Sequence, residues 1–214
     1  MLIFGASGFA KNVLEILTRN GYSKELFFFD NVTPNIGDLL YDKFSILKTF
    51  EEIEERFKYN KDFTIGIGNP ILREKIYNEL LNRGGNFVST ISEHAHLGSY
   101  NVIIEEGVNI SFGVIINNDT LIKKGSLINI NSTIGHDCVL GEFVEVCPNV
   151  SISGNCDIGN NVFIGSNTTI APRVKIGKNA IIGANSLVLE DVPSNVFFAG
   201  SPGKVIKHLD CNNC

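Results

Sequence analysis

From residue 104 onward an aliphatic side chain returns at every sixth position. Ile104, Ile110, Ile116, Ile122, Ile128, Ile134, Leu140, Val146, Ile152, Ile158, Ile164, Ile170, Ile176, Ile182 and Val188 form an unbroken column. Four positions after each lies a small or β-branched residue, from Val108 and Val114 through Cys138 and Cys156 to Val192. Glycine directly follows the aliphatic residue at Gly135, Gly141, Gly159, Gly165, Gly177 and Gly183. Neither a helix of 3.6 residues per turn nor a set of separate hairpins repeats in this way, whereas a solenoid coil with three flat sides of six residues does. The aliphatic column then fills the axis. The three positions that follow it turn the corners, where Gly and Asn tolerate positive φ. At 18 residues per coil, about five coils are expected between 104 and 193. Ile91, Leu97 and Ile103 extend the period with a one-residue slip, so a rough first coil is expected from near 91.

Residues 1–90 follow a different rhythm. MLIF reads as a short strand ended by Gly5-Ala-Ser-Gly8, FAKNVLEILTRNGY as an amphipathic helix, and ELFFFD as a second strand ending at Asp30. A loop, a short helix TFEEIEERF and a third strand DFTIGIGN come next. PILREKIYNELLNRGG has proline in its first turn and Gly84-Gly85 at its end, the expected punctuation of a helix. NFVSTI is a fourth strand. Strands alternating with helices predict a small parallel sheet of the Rossmann type. The expected organisation is therefore an α/β domain over 1–90 and a β-helix over 91–214.

Composition narrows the function. A formal net charge of −5 supplies no basic field for nucleic acid. No apolar run reaches the ~18 residues of a membrane span. MLIFGASG lacks the basic and cleavage regions of a signal peptide, so cytoplasm is the expected compartment. Three of the five cysteines, Cys138, Cys147 and Cys156, fall inside the repeats, which is unlike a disulfide framework. Cys211-Asn-Asn-Cys214 has CxxC spacing but no second ligand pair.

The six-residue pattern resembles the hexapeptide-repeat acyltransferases, whose fold is a left-handed parallel β-helix. The N-terminal GASGxx, the IGN before a helix, the coil carrying HDCVLGEF and the closing FAGSPGK together resemble one group among them. That group is the nucleotide-sugar N-acetyltransferases of bacterial glycan synthesis, such as the bacillosamine-pathway and perosamine enzymes, with relatives that O-acetylate sialic acid. The resemblance implies a homotrimer that takes acetyl from acetyl-CoA in clefts between subunits.

His136 and Asp137 interrupt the repeat where the chain turns a corner, so the core does not need them. A neutral imidazole is suited to removing a proton from an attacking amine near neutral pH. Asp137, or a neighbouring carboxylate, would fix its tautomer, although adjacent side chains on a strand diverge. Gly154 lies 18 residues on, one coil away, with no side chain to block its amide from a developing oxyanion. The resemblance places a glycine amide there for that purpose, beside the thioester. It also implies CoA contacts at Gly165, Ser166, Gly183 and Ala184, with Pro202 and Lys204 toward the adenosine end. A positive-φ corner is the plain alternative for each of these glycines. Gly5, Ser7, Gly8, Asp30 and Asn69 are the implied contacts for one nucleotide, because fewer than 100 residues cannot build two mononucleotide halves. The resemblance also implies a second histidine, facing the acetyl-thioester, at the position where this chain has Glu145. Its expected roles are binding an ammonium substrate, altering acyl or sugar preference, or simple solvation.

Rival readings follow from the same residues. O-acetylation of a sugar hydroxyl, as on sialic acid, uses the same base. A non-catalytic nucleotide-sugar binder would have kept the fold without the chemistry. A zinc hydratase on the same fold needs three converging histidines, and of His94, His96, His136 and His208 only His136 lies in the regular coils. No metal is expected.

Overall fold

The computed structural model describes residues 1–209. Cys211 and Cys214 lie outside the described residues. The chain opens as a six-stranded sheet of β1 (Leu2–Phe4), β2 (Phe27–Phe29), β3 (Leu39–Leu40), β4 (Phe44–Leu47), β5 (Asp62–Ile65) and β6 (Asn86–Phe87), in the order β3-β4-β2-β1-β5-β6. All neighbours are parallel except β3 and β4, an antiparallel pair in the stretch expected to be a loop. That hairpin escapes the pattern because its outer strand is only two residues long and one of them is exposed.

Three helices complete this part. In α1 (Gly8–Arg19), Ala10, Val13, Leu14, Ile16 and Leu17 are buried, the stripe expected of an amphipathic helix. Thr49 and Glu52 close a reciprocal capping box at the start of α2 (Phe50–Phe57). Asn69 caps α3 (Pro70–Asn82), its side chain accepting from the Leu72 amide at 2.9 Å. The stretch NFVSTI is not one strand. Asn86–Phe87 pairs with β5, whereas Thr90–Ile91 pairs with Asn109–Ile110 and belongs to the solenoid.

The solenoid is a parallel β-helix of two-residue strands stacked into three faces. The first face carries Thr90–Ile91, Asn109–Ile110, Leu127–Ile128, Glu145–Val146, Phe163–Ile164 and Ile181–Ile182. The second runs from His96–Leu97 to Leu187–Val188, and the third from Ile103–Ile104 to Lys175–Ile176. From Ile110 to Val188 the aliphatic column is at most 2 % exposed. Each such side chain contributes about 1.5–3 kcal/mol of burial. The second column is buried as well. Its polar members remain satisfied inside: the Ser126 and Ser132 hydroxyls donate to Gly141 O and Cys147 O at 2.8 and 2.9 Å. The one-residue slip falls between Leu97 and Ile104, so Ile104 continues the axis and Ile103 turns out to solvent.

Corner conformation corrects one expectation. Positive φ recurs at every sixth residue from Gly107 to Asn185, always three positions after the aliphatic residue, and Asn or Asp fills most of these sites. The glycines that directly follow the aliphatic residue do not have positive φ. They are glycine because the next coil lies against them: a Cβ on Gly165 would stand 2.5 Å from the Ala184 amide nitrogen. No helix among the described residues is long and apolar enough to cross a membrane.

Candidate functional site

His136 stands at the corner between the second and third faces, and its side chain is 61 % exposed. The corner explains how adjacent residues meet. Asp137 takes the left-handed conformation, φ 57°, which cancels the usual divergence of successive side chains. Its Oδ2 comes to 2.6 Å from His136 Nδ1. With the ring proton on Nδ1 donated to that carboxylate, Nε2 keeps a free lone pair. Gly154 lies beneath the ring. A Cβ there would be 2.7 Å from Nε2 and 2.8 Å from Cε1, so a side chain at 154 and this imidazole position exclude each other. The backbone holds the two together: the Asn155 amide donates to His136 O at 2.8 Å. No backbone acceptor takes the Gly154 N–H among the described residues.

The other candidates lie apart from this corner. Gly165-Ser166 and Gly183-Ala184 stand at the corner between the first and second faces. Gly183 packs under Ala199, whose Cβ would be 2.9 Å from an added methyl. Packing of coil on coil is therefore sufficient reason for both glycines. Pro202 and Lys204 are exposed on the closing hairpin of Val196–Gly200 and Gly203–His208.

Gly5, Ser7, Gly8, Asp30 and Asn69 gather along the C-terminal ends of β1, β2 and β5. The strand order reverses between β1 and β5, the switch point at which open parallel sheets leave a crevice. Gly5 has φ 107° and would, with a Cβ, crowd Gly66 O at 3.0 Å. Ser7 precedes α1 with its hydroxyl making no capping bond, so that helix start is open. Asp30 is differently committed. Its Oδ1 accepts from the Val32 and Thr33 amides at 3.1 and 2.9 Å, and its Oδ2 from the Thr33 hydroxyl at 2.8 Å. Burial alone would raise its pKa, but the bonds from Thr33 and Val32 and the charge of Lys48 outweigh it and hold the carboxyl below the usual range.

Of the three roles expected for Glu145, simple solvation does not hold. It is 7 % exposed and faces Arg73 of α3, with Oε2 3.8 Å from Nη1. Burial pushes its carboxyl up despite that cation, and the guanidinium itself is pulled down to about 10. Arg73 was not legible as special, since a single arginine on a helix ordinarily faces water. Next to this pair a groove of about 640 Å³ lies between the start of α3 and the first face. It is lined by Asn69, Ile71, Asn161, Phe163, Ile181 and Lys207, among others. No group of three or more His, Cys, Asp or Glu among the described residues is placed to hold a metal ion.

Comparison with known proteins adds the kinship. Residues 1–80 match the PglD N-terminal domain, and residues 155–190 match the bacterial transferase hexapeptide (six repeats). No curated protein sequence matches. Among solved structures the chain is similar to PerB from Caulobacter crescentus, in complex with CoA and GDP-perosamine, with 27% identity over 96% of each chain and a TM-score of 0.85. It is also similar to the acetyltransferase domain of PglB from Neisseria gonorrhoeae, with 26% identity, 96% of this chain and 98% of that one covered, and a TM-score of 0.86. WeeI from Acinetobacter baumannii gives 27% identity, the same coverages and a TM-score of 0.89. The chain thus joins an α/β domain that matches the PglD N-terminal domain to a left-handed β-helix of transferase hexapeptide repeats, and along nearly its whole length it is similar to PerB, the PglB acetyltransferase domain and WeeI.

Proposed function

We propose that this protein is an acetyl-CoA-dependent N-acetyltransferase that acetylates the amino group of a nucleotide-linked amino sugar. The observation that carries the reading is the His136 corner: an imidazole tied through Nδ1 to Asp137 at 2.6 Å, its Nε2 uncommitted over a glycine one coil away. The kinship with PerB, whose structure holds CoA and GDP-perosamine, supports the substrate class. The acceptor nitrogen attacks the thioester carbonyl carbon while Nε2 removes its proton. Asp137 holds the tautomer and stabilises the imidazolium. The Gly154 amide donates to the carbonyl oxygen as it becomes an oxyanion. The C–S bond then breaks, and the proton returns from His136 to the departing CoA thiolate.

Residues 1–90 bind the nucleotide at the crevice formed by Gly5, Ser7, Gly8, Asp30 and Asn69. Residues 91–214 carry the chemistry and bind acetyl-CoA along Gly165, Ser166, Gly183 and Ala184, with Pro202 and Lys204 near its adenosine end. His136 and these CoA-binding positions occupy different corners of one chain, so the complete site is shared between subunits of a homotrimer. The setting is the cytoplasm.

The test is mass spectrometry of products formed from acetyl-CoA with UDP-, dTDP- and GDP-linked 4-amino-4,6-dideoxy sugars in parallel. The expected result is a gain of one acetyl group on one of them, lost in His136→Ala. A product from a sialic acid hydroxyl alone would replace N-acetylation by O-acetylation, and nucleotide-sugar binding without turnover would make the protein a binder. A monomer in solution would undo the shared cleft.

A further inference from the structure

A fully buried charged side chain lies outside the chemistry described above. Arg73 is 1 % exposed, and its guanidinium reaches from α3 into the β-helix. Nε donates to Gly125 O at 3.1 Å, and Nη2 donates to Phe143 O and Val144 O, both at 2.9 Å. Gly125 and Phe143 occupy the same corner position in successive coils. Nη1 turns back to donate to Gly68 O, in the loop just before Asn69. One side chain therefore ties that loop to two coils of the solenoid.

Glu145 acts on the same loop from below. In the outward column of the first face it follows Leu127, which is fully covered, and precedes Phe163, which lines the groove. It is thus the last position under the N-terminal domain before the groove opens. Its Oε1 lies against Gly68, where a Cβ would be 2.7 Å away. Its Oε2 is buried with no hydrogen-bond partner. Burying a guanidinium and a carboxylate in this way stabilises a fold less than apolar side chains of the same volume would. Covering the first face does not call for such a pair. What apolar residues could not do is fix the Gly68 carbonyl in direction and depth at once.

We infer that Arg73 and Glu145 are positioning residues, a buried clamp that sets the Gly66–Asn69 loop over the β-helix and thereby tunes affinity for the acceptor. This rests on the assignment of Asn69 to the acceptor site. The clamp stays clear of the His136 corner, and neither residue bonds Gly165, Ser166, Gly183 or Ala184 directly; its one contact toward that second corner is the Cys147 thiol, 4.0 Å from Glu145 Oε1 and one coil before Gly165. Acceptor binding should therefore respond to it separately from acetyl-CoA.

The experiment compares the full-length wild type with Glu145→Gln and Arg73→Lys, measuring KM for each substrate, kcat and amide hydrogen exchange across residues 66–72. Glu145→Gln keeps the shape and removes the charge. Arg73→Lys keeps the charge and loses the fork that spans several carbonyls. The expected result in both is a rise of ~10-fold or more in acceptor KM, with acetyl-CoA KM within ~2-fold of wild type and faster exchange in the 66–72 loop. A merely structural pair would lower Tm without splitting the two KM values, and that result overturns the inference, as does unchanged loop exchange. Failure of Arg73→Lys to fold leaves Glu145→Gln to decide. If the wild type neither binds nor acetylates a nucleotide sugar, the proposed function and the affinity half of the inference both fall. Loop exchange then decides the clamp by itself.

Discussion

Replacing Gly154 by alanine tests the geometry of the His136 corner directly. The new methyl would stand 2.7 Å from Nε2, 2.8 Å from Cε1 and 3.2 Å from Cδ2 of His136. Ordinary contacts between heavy atoms begin near 3.5 Å, so the ring must retreat by about 0.8 Å. It can do so cheaply, because the side chain is 61 % exposed and Gly154 is not at positive φ. Stability should therefore change by less than about 1 kcal/mol. The retreat pulls Nδ1 away from Asp137 and moves Nε2 off the line to the acceptor nitrogen that the proposed function requires. Misplacement on this scale costs about 10²-fold in rate, or ~2.7 kcal/mol of transition-state stabilisation. The alanine keeps the backbone N–H, and the His136→Ala background separates displacement of the ring from any screening of that donor by the methyl. The assay is kcat from acetylated product, with Tm measured alongside, in wild type, Gly154→Ala, His136→Ala and the double variant. In the His136→Ala background there is no ring to displace, and the second substitution should cost less than ~2-fold. Full turnover in Gly154→Ala would refute the argument, since no imidazole could then be working where the structure places it.

Four further outcomes are expected. His136→Ala should lower turnover by ~10²–10⁴-fold at nearly unchanged Tm, because the residue lies outside both packed columns. Gly165→Ala should destabilise by about 1–3 kcal/mol in a thermal melt, since its methyl meets the Ala184 backbone nitrogen at 2.5 Å, which cannot swing aside. Burial holds the Glu145 pKa above its ordinary 4.5, so its contribution to stability is fully present below that value and is lost as pH rises through the raised pKa. Wild type should therefore gain in Tm relative to Glu145→Gln as pH is lowered through the raised pKa toward 4.5. Asp30 has the opposite sign: its depressed pKa stabilises the fold above the usual aspartate range, and the Tm advantage of wild type over Asp30→Ala should shrink as pH falls through the acid range.

The regular half of the molecule was legible because its signal is redundant. Fifteen aliphatic residues at one period admit a single geometry, and each coil repeats the evidence of the last. The same regularity made His136 and Gly154 conspicuous as departures, and 18-residue spacing put them in neighbouring coils without coordinates. The short β3–β4 hairpin was not legible, because a two-residue edge strand has too few positions to show a period. Nor was the split of NFVSTI, where one apolar run feeds two sheets and only the partners on either side separate them.

What the sequence determined by itself is therefore what depends on local or periodic chemistry: the β-helix, the three helices and the longer strands before it, and the corner that carries the imidazole. Tertiary structure decided what depends on residues far apart in the chain. It paired Arg73 with Glu145 across 72 positions, buried a carboxylate for which solvation was one of the readings, and gave the repeat glycines a packing role in place of a backbone one. The reason is physical. Burial and pairing are properties of the space between elements, and that space exists only once the α/β domain has settled on the first face of the β-helix.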